Sequence, residues 1–460
     1  MTEIPADLRQ RLESHGQQHV LARWAKLDAA SRSELLGQLE KIDLDELMQL
    51  YARRDKPGHE VPTADRIAPI PYIPHDAPDN AARRAEGESA LRAGQVAVLL
   101  VAGGQGSRLG FEHPKGMYPV GPVSRKSLFA IHAEKVLALS RRYGKALPFL
   151  IMTSPATHDE TEAYFKEQNF FQLDPAQVQF FCQGTMPALD LATGQLLFEA
   201  PGRLFVSPDG HGGTLMALAK SGLLAQLQKQ GITQVFYFQV DNPLVRIADP
   251  VFIGHHLHAN AEVSSKVVAK VGPREKMGVF ASVEGRCTII EYSDLPESLA
   301  HAVEPDGRLR LWAGSPAIHL FSVEFLQRMT RNPQALPFHI ARKKVPHVDE
   351  AGTLITPKVE NALKFERFIF DVLPAADRWT VVEALREDEF APLKNAEGAD
   401  SPATVEQALL DQARRWVRAA GGDVAPGVRL EFSPLYALDA EELASKWTAG
   451  SRIETDWYQQ

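Results

Sequence analysis

The chain has 460 residues, which is more than one hydrophobic core usually holds, and it predicts two or three domains. Hydrophobic residues make up 44% and charged residues 23%, a composition that excludes a disordered chain and a coiled-coil rod. The net charge of -8 argues against a general nucleic-acid binder, which would normally be basic.

The first part of the chain predicts helices followed by an extended connection. Leucines recur at helical spacing among charged residues over 1–60, and prolines are frequent over 61–85. The polar beginning has no signal-peptide pattern, and no apolar run approaches the roughly 20 residues of a membrane span. We therefore expect a cytoplasmic protein with no membrane partner.

The middle of the chain alternates between strand and helix patterns. Continuous apolar runs predict buried strands, and helical patterns lie between most of them; the strands are 95–102, 148–153, 178–182 and 234–240, and the helices 127–140, 156–168 and 213–230. This order predicts an α/β domain with a mostly parallel sheet. Short β-rich segments over 264–321 predict an antiparallel layer added to that sheet.

The end of the chain predicts a small additional domain. A polar stretch after 394 leads to a helical pattern over 404–418, a glycine pair and a short strand. The predicted domains are a helical region with its linker over 1–90, a large α/β domain over 91–395 and a small domain over 396–460.

A glycine-rich segment leaves the first predicted strand of the α/β domain. Residues 101–110 read Val-Ala-Gly-Gly-Gln-Gly-Ser-Arg-Leu-Gly, and three glycines in four positions let backbone N–H groups approach a phosphate. The dinucleotide fingerprint requires glycine where Leu109 stands, and the phosphate-loop pattern also fails. With Arg108 and Lys115 close by, the segment predicts a phosphate site rather than a purely structural turn.

Two further loops are candidates for ligand contact. Asp241 follows a predicted strand, where a carboxylate can hold Mg²⁺ between phosphates, although a plain turn is an alternative reading. Residues 207–213 place three glycines before a helix and predict close approach to a ligand. Spacing alone places Lys364 and Lys394 on the surface.

Some polar clusters do not point to a site. The histidine-rich residues 255–258 predict a solvated helix, and the acidic residues 387–389 predict a charged surface on an extended chain. Cys182 and Cys287 lie in apolar, strand-like stretches and are interpreted as small core residues in a reducing compartment.

The motifs together resemble a known family. Ala-Gly-Gly-Gln-Gly-Ser-Arg-Leu-Gly over 102–110, with Pro-Lys-Gly-Met-Tyr over 114–118, is similar to the signature of the UDP-sugar pyrophosphorylases. The resemblance runs over roughly 90–410 and is strongest to the eukaryotic-type UDP-N-acetylglucosamine branch. It implies a Rossmann-like nucleotide-diphospho-sugar transferase fold, an α/β/α sandwich with helical N-terminal and small C-terminal additions. The implied reaction joins UTP and a sugar 1-phosphate to give a UDP-sugar and pyrophosphate.

The resemblance also implies a role for each matched residue. Arg108, Lys115 and Lys364 would act on the phosphates, and Asp241 would bind Mg²⁺. The nucleotide would contact Val101, Ala102, Gly103, Gly104, Gln183 and Gly210, with the Gln183 amide reading the uracil edge. The sugar side would involve His211, Glu291, Tyr292, Ser315 and Lys394. No general base is expected, because the nucleophile is already an ionised phosphate oxygen.

Three positions depart from the pattern of the acetamido-sugar enzymes. His211 stands where those enzymes typically carry asparagine, and Ser315 and Ile318 also replace asparagines. The overall pattern still favours N-acetylglucosamine 1-phosphate, with glucose 1-phosphate or broad sugar specificity as the alternative. A glycosyltransferase of the same fold and a non-catalytic nucleotide-sugar sensor are further alternatives. The sequence gives no prediction of oligomeric state.

Overall fold

A computed structural model describes residues 4–55, 62–332 and 336–460, so the last residues of the predicted helical region 1–60 lie outside it. Within these ranges the α-helices are α1 (Ala6–Ser14), α2 (Ala29–Glu40), α3 (Leu44–Ala52), α4 (Asn80–Arg92), α5 (Leu128–Tyr143), α6 (His158–Glu167), α7 (Gly213–Lys220), α8 (Leu223–Lys229), α9 (Pro250–His258), α10 (Glu297–Ala300), α11 (Val323–Thr330), α12 (Arg386–Glu389), α13 (Pro402–Ala419) and α14 (Ala440–Lys446).

The strands of the same ranges are β1 (Ile67–Pro69), β2 (Val96–Val101), β3 (Phe149–Thr153), β4 (Val178–Cys182), β5 (Thr185–Pro187), β6 (Leu189–Asp190), β7 (Phe198–Ala200), β8 (Arg203–Leu204), β9 (Val206–Pro208), β10 (Gln234–Gln239), β11 (Val263–Ala269), β12 (Val279–Val283), β13 (Arg286–Ile290), β14 (Ala313–Gly314), β15 (His319–Ser322), β16 (His339–Lys343), β17 (His347–Val348), β18 (Leu354–Ile355), β19 (Ala362–Glu366), β20 (Trp379–Glu383), β21 (Asp423–Val424), β22 (Leu430–Phe432), β23 (Arg452–Ile453) and β24 (Trp457–Gln459).

The chain divides into two compact units, each built from three chain segments. The first unit contains Met1–Val61, Gln183–Met216 and Pro333–Asp371, and the second contains Pro62–Cys182, Ala217–Asn332 and Val372–Gln460. The two units cut across the three predicted domains, whose boundaries at 90 and 395 stay a prediction.

The second unit is organised around one large mixed sheet. Its strands run in the order β1-β12-β14-β11-β15-β10-β2-β3-β4, with β13 paired to β12 and β20 paired to β11. Strands β10, β2, β3 and β4 are mutually parallel, and each arises from one of the continuous apolar runs. Strands β12 to β15 extend this sheet in antiparallel fashion, as the β-rich segment 264–321 predicted. Helix α5 packs on the sheet with Ser127 as its N-cap and a left-handed Gly144 at its end.

The first unit combines the N-terminal helices with short antiparallel sheets. One sheet has the order β16-β19-β6, a second has the order β18-β17-β7-β8, and β5 pairs with β9. Its main core joins Leu8, Leu12 and Leu35 of the helices to Leu363 and Phe365 of β19. The amphipathic leucine pattern of the N-terminal region therefore buries its apolar face on this sheet.

Several local predictions are wrong, each for a packing reason. Helix α4 begins at Asn80 inside the predicted extended connection, and it packs so closely on α9 that a Cβ on Gly87 would lie 2.0 Å from the Pro250 carbonyl oxygen. The helix predicted over 213–230 is two helices, because Gly222 takes φ +78 between them. Cys182 is exposed at the end of β4, whereas Cys287 is buried as predicted.

Two polar clusters predicted to be solvated are partly buried, although His258 and Glu387 are exposed as predicted. His255 and His256 lie in the core, where the ring nitrogens of His256 meet Ser264 Oγ at 2.8 Å and Gln234 Oε1 at 2.9 Å. Glu389 is buried at the end of α12, where it pairs with Lys266. Burial is tolerated because each polar group finds a partner from a distant part of the chain, which local spacing does not reveal.

Candidate active site

The glycine-rich segment and Asp241 follow neighbouring parallel strands of the second unit. Val101 at the end of β2 pairs with Gln239 at the end of β10, and the Val240 N–H donates to the Val101 carbonyl at 3.0 Å. Residues 102–104 and Asp241 therefore leave the same edge of the sheet, outside the carboxyl ends of the strands, where open α/β sheets bind their ligands.

The glycine-rich loop doubles back and returns Lys115 to this edge. The Lys115 N–H donates to the Gly104 carbonyl at 3.0 Å, and the Gly106 N–H donates to the His113 carbonyl at 2.9 Å. A Cβ on Gly106 would lie 2.7 Å from the Phe111 ring, so the close turn requires glycine there. Lys115 Nζ lies 3.6 Å from Asp241 Oδ2, with both side chains mostly buried. The structure thus brings together Gly104, Lys115 and Asp241, three residues that the sequence predicted as site residues.

Two more predicted cations lie in the same unit. Arg108 is exposed on a short 3₁₀ turn, Ser107–Leu109, and its guanidinium has no partner among the described residues. Lys394 follows Leu393, whose N–H donates to the Asp241 carbonyl at 2.8 Å, so the chain places Lys394 beside the Asp241 loop. Lys394 Nζ lies 3.8 Å from Asp400 Oδ2 and remains partly exposed.

Helix α5 supports the loop that carries Asp241, which sequence reasoning missed. His132 Nε2 contacts the Val240 carbonyl at 2.9 Å, and Lys135 Nζ donates to the carbonyls of Pro243 at 2.5 Å and Val245 at 2.8 Å. Burial lowers the pKa of His132 to about 3, so the ring is neutral and Nε2 carries the donated proton. A histidine and a lysine three positions apart in the apolar first half of this helix were the available signal.

A buried charge cluster lies beside the same loop and also escaped prediction. Lys266 on β11 donates to Asp249 Oδ2 at 2.7 Å and to Glu389. Asn242 donates to the Glu389 carbonyl at 2.7 Å, which joins the cluster to the Asp241 loop. Burial opposes ionisation of Asp249, but Lys266 and Arg246 outweigh it and hold the pKa of that carboxyl well below its usual value.

Three of the five residues predicted to face the sugar, Glu291, Tyr292 and Ser315, form a separate group around Gly278. The Ser315 N–H donates to the Gly278 carbonyl at 2.9 Å, and a Cβ on Gly278 would lie 3.2 Å from Glu291 Oε1. Tyr292 is 47% exposed. Ile318 is packed in the core next to β15, so its side chain is not available to a ligand.

In the first unit, Gln183 and Gly210 meet at a buried carboxylate that was not predicted as a site residue. Gln183 Nε2 lies 3.5 Å from Asp209 Oδ1 and 3.4 Å from the Gly210 carbonyl oxygen. A Cβ on Gly213 would lie 2.0 Å from Asp209 Oδ1, so glycine is required for this carboxylate to pack against the start of α7. The Arg367 N–H donates to the Asp209 carbonyl at 2.7 Å and fixes the loop.

His211 and Lys364 lie in the same unit and are partly enclosed. The His211 ring stacks on Phe368, and its Nδ1 accepts from the Ile369 N–H at 3.3 Å. Burial lowers the pKa of His211 to about 4, so the imidazole is neutral near pH 7. Lys364 Nζ lies 4.8 Å from the centre of the Phe205 ring, and burial lowers its pKa against the opposing effect of Glu366.

The charged groups at the strand ends of the second unit would suit a phosphate. Cations and a carboxylate gather at the strand ends of the second unit, while Gln183, Gly210, His211 and Lys364 belong to the first unit. Within the described residues no group of three histidine, cysteine or acidic side chains could hold a metal on its own. A Mg²⁺ ion is usually bound by one or two carboxylates together with substrate phosphates and water, and Asp241 fits that pattern.

Comparison with known proteins defines the class. The chain resembles the UDP-N-acetylglucosamine pyrophosphorylase structure from Trypanosoma brucei, with a TM-score of 0.81, 29% identity and coverage of 97% of this chain and 96% of the other. The mixed central sheet with its flanking helices is an α/β nucleotidyltransferase fold. The sequence model of the family described as UTP–glucose-1-phosphate uridylyltransferase matches residues 46–441. The chain belongs to this family.

Curated relatives extend the comparison over nearly the whole chain. A human protein named UDP-N-acetylhexosamine pyrophosphorylase-like protein 1 is 39% identical over 436 residues, covering 90% of this chain and 86% of the relative. The UDP-N-acetylglucosamine pyrophosphorylase of Saccharomyces cerevisiae is 37% identical, covering 95% of this chain and 96% of the relative. No helix in the described part of the chain is long and apolar enough to cross a membrane.

Proposed function

We propose that the chain is a uridylyltransferase that joins UTP and N-acetylglucosamine 1-phosphate to give UDP-N-acetylglucosamine and pyrophosphate. The observation that carries the proposal is 37% identity to the yeast enzyme of that name over 95% of this chain. The Lys115–Asp241 pair beside the glycine-rich loop supports the proposal, because a lysine and a carboxylate next to backbone N–H groups suit a nucleoside triphosphate and its Mg²⁺.

The reaction needs charge neutralisation more than proton transfer. An oxygen of the sugar phosphate attacks the α-phosphorus of UTP, the new P–O bond forms, and pyrophosphate leaves with the electrons of the broken bond. The nucleophile is already ionised, so repulsion between the two phosphorylated substrates is the main obstacle. Arg108 and Lys115 would hold the triphosphate, and Lys364 and Lys394 would neutralise the phosphates that are exchanged.

Asp241 is the side chain that we propose to hold Mg²⁺. A bound Mg²⁺ supplies positive charge to the phosphate oxygens at a fixed position. Lys115 lies 3.6 Å from Asp241 Oδ2, so both Lys115 and a bound Mg²⁺ would interact with this carboxylate. The triphosphate would offer Lys115 a second anionic partner. His132 of α5 contacts the Val240 carbonyl and the Leu393 N–H donates to the Asp241 carbonyl, which holds the backbone of this loop in place.

A second candidate is a glucose 1-phosphate or broad-specificity enzyme. The matching family description names glucose 1-phosphate, and His211 stands where the acetamido-sugar enzymes typically have asparagine. The His211 Nδ1 already accepts from the backbone, and Ser315 Oγ accepts from the Ala317 N–H at 3.3 Å. Both groups therefore have less hydrogen-bonding capacity left for an acetamido group. Cytoplasmic location remains a proposal from sequence alone.

The test is an assay of the full chain with UTP, Mg²⁺ and a panel of sugar 1-phosphates. Pyrophosphate and the UDP-sugar are both measured, the second by mass spectrometry. We expect equal amounts of the two products with N-acetylglucosamine 1-phosphate, and no release of UDP, which a glycosyltransferase would form from a UDP-sugar.

Variants exclude a contaminating activity. Arg108→Lys should lose most activity, because the ammonium of lysine cannot form the two coplanar hydrogen bonds that a guanidinium makes to a phosphate. Lys229→Met is the matched control, since Lys229 is exposed at the end of α8, and it should keep full activity. Absence of pyrophosphate with every sugar 1-phosphate would refute the proposed reaction.

A further inference from the structure

A cavity in the second unit lies outside the predicted active site. It has a volume of about 240 Å³ and lies between α5, residues 243–250, and the segments 409–416 and 430–441. Ile131, Leu139, Leu409 and Trp416 give it apolar walls. This volume is somewhat below the range of drug-sized ligand sites, so the cavity suits a small organic molecule.

The carboxylates that line this cavity already have partners. Asp439 pairs with Arg142 at 2.8 Å, Glu441 with Arg84 at 2.8 Å, and Asp388 with Arg415 at 2.9 Å. Asp249 pairs with Lys266 at 2.7 Å, and Glu431 accepts from the Ser124 N–H at 2.7 Å. Each acidic group is therefore neutralised or hydrogen-bonded without help from a ligand.

Two cations of the lining make no hydrogen bond to a carboxylate of the described residues. The Arg246 guanidinium makes no hydrogen bond to a described residue, lies 4.0 Å from Asp249 Oδ1, and has a side chain that is 40% exposed. The charges of Asp249, Glu389, Asp439 and Asp388 raise its pKa. Lys135 lies within 4.0 Å of no carboxylate in the described chain, and its two hydrogen bonds go to neutral carbonyls. Burial lowers the pKa of Lys135 to about 7, and the charge of Arg246 adds to this effect while that of Glu389 opposes it.

We propose that this cavity is a second binding site, for a small organic anion with an apolar body. A carboxylate or phosphate on the ligand accepts from Arg246 and Lys135, and the apolar body packs on Ile131, Leu139 and Trp416. A guanidinium with unused N–H groups is suited to such anions because it presents them in a planar fork. The site backs onto the Asp241 loop, because Lys135 holds the carbonyls of Pro243 and Val245.

The test measures binding of 3-phenylpropionate to the full chain by saturation-transfer NMR. Its neutral counterpart, 3-phenylpropan-1-ol, is the control ligand, and saturating UTP is present in a parallel titration. We expect binding that UTP does not abolish and that is at least about tenfold tighter for the anion, the scale of a charge-assisted hydrogen bond. Complete displacement by UTP, or equal binding of the alcohol, would overturn the proposal.

Variants locate the bound anion. Arg246→Met and Lys135→Met should each weaken binding by about tenfold or more, for the same reason. Ala440→Phe fills the cavity without changing a charge and should abolish binding, and Lys229→Met should leave it unchanged. If Lys135→Met does not fold, Arg246→Met and Ala440→Phe decide the outcome. Undiminished binding to both of these variants contradicts the assignment.

Discussion

Replacing Lys266 by methionine tests whether its buried ion pairs stabilise the second unit. The side chain of Lys266 is 2% exposed, and those of its partners Asp249 and Glu389 are 7% and 5% exposed. Methionine fills a similar volume but leaves two buried carboxylates without the ammonium that donates to both of them. Removing one partner of a buried pair costs about 3–5 kcal/mol, because the remaining charge is buried without compensation.

The stability loss caused by Lys266→Met should depend on pH, because the pKa of Asp249 differs between the wild type and the variant. In the wild type the pKa of Asp249 is lowered below its ordinary value of 3.8, so its contribution is present above that pH and is lost as the pH falls through the lower, folded-state pKa. In Lys266→Met the pKa of Asp249 should instead rise, because burial then acts with less opposition. Protonation at lower pH relieves the penalty, so the destabilisation should be about 1–2 kcal/mol smaller at pH 5 than at pH 8.

The stability loss is measured as the free energy of local opening at β11, by hydrogen–deuterium exchange of peptides that cover this strand. This measurement does not assume that the whole chain unfolds in one step. Lys229→Met, at an exposed position, should change this free energy by less than about 0.5 kcal/mol. Adding Glu389→Gln to Lys266→Met should recover part of the loss, since one uncompensated charge is removed. A loss below about 1 kcal/mol, or a penalty that grows as the pH falls, would refute the reasoning.

The remaining predictions concern the proposed reaction. Lys115→Met should lower kcat/KM by on the order of 10²-fold or more, measured by steady-state pyrophosphate release with Lys229→Met as the control. Asp241→Asn should lower the rate and the apparent Mg²⁺ affinity together; an unchanged Mg²⁺ titration would mean that other groups hold the ion. If Gln183 reads the base edge, UTP should be strongly preferred to CTP, and equal kcat/KM for the two would contradict it. His211→Asn should shift the kcat/KM ratio toward N-acetylglucosamine 1-phosphate by roughly tenfold or more. Because burial lowers the pKa of His211 to about 4, the wild-type ratio should not change between pH 6 and 8.

The parallel strands and the glycine-rich loop were predictable because their signals are local. An uninterrupted apolar run such as Val96–Val101 indicates a strand covered on both faces, and the glycines that follow it indicate a tight turn. The order of strands, helices and turns then places Gly104 and Asp241 at one edge of the sheet. Lys115 follows because the loop is short and closed by its own hydrogen bonds.

The partners of buried polar groups were not predictable, because they come from distant parts of the chain. Glu389 lies 123 residues from Lys266, and His132 lies 108 residues from the Val240 carbonyl that it contacts. A polar residue in isolation predicts exposure, and only the folded structure supplies the compensating partner. The same reason explains why Glu389 was wrongly predicted to lie on the surface, whereas Glu387 is exposed as predicted.

The composition of the first unit from three chain segments has a consequence for the order of folding during synthesis. The core that buries Leu8, Leu12 and Leu35 also contains Leu363 and Phe365, so the N-terminal leucines lack part of their apolar cover until β19 has been made. At about 5–20 residues per second, the ribosome needs on the order of tens of seconds to get from the first helices to β19. During that time the nascent N-terminal region exposes an apolar face suited to chaperone binding. The N-terminal helices therefore complete their core only after β19 has emerged.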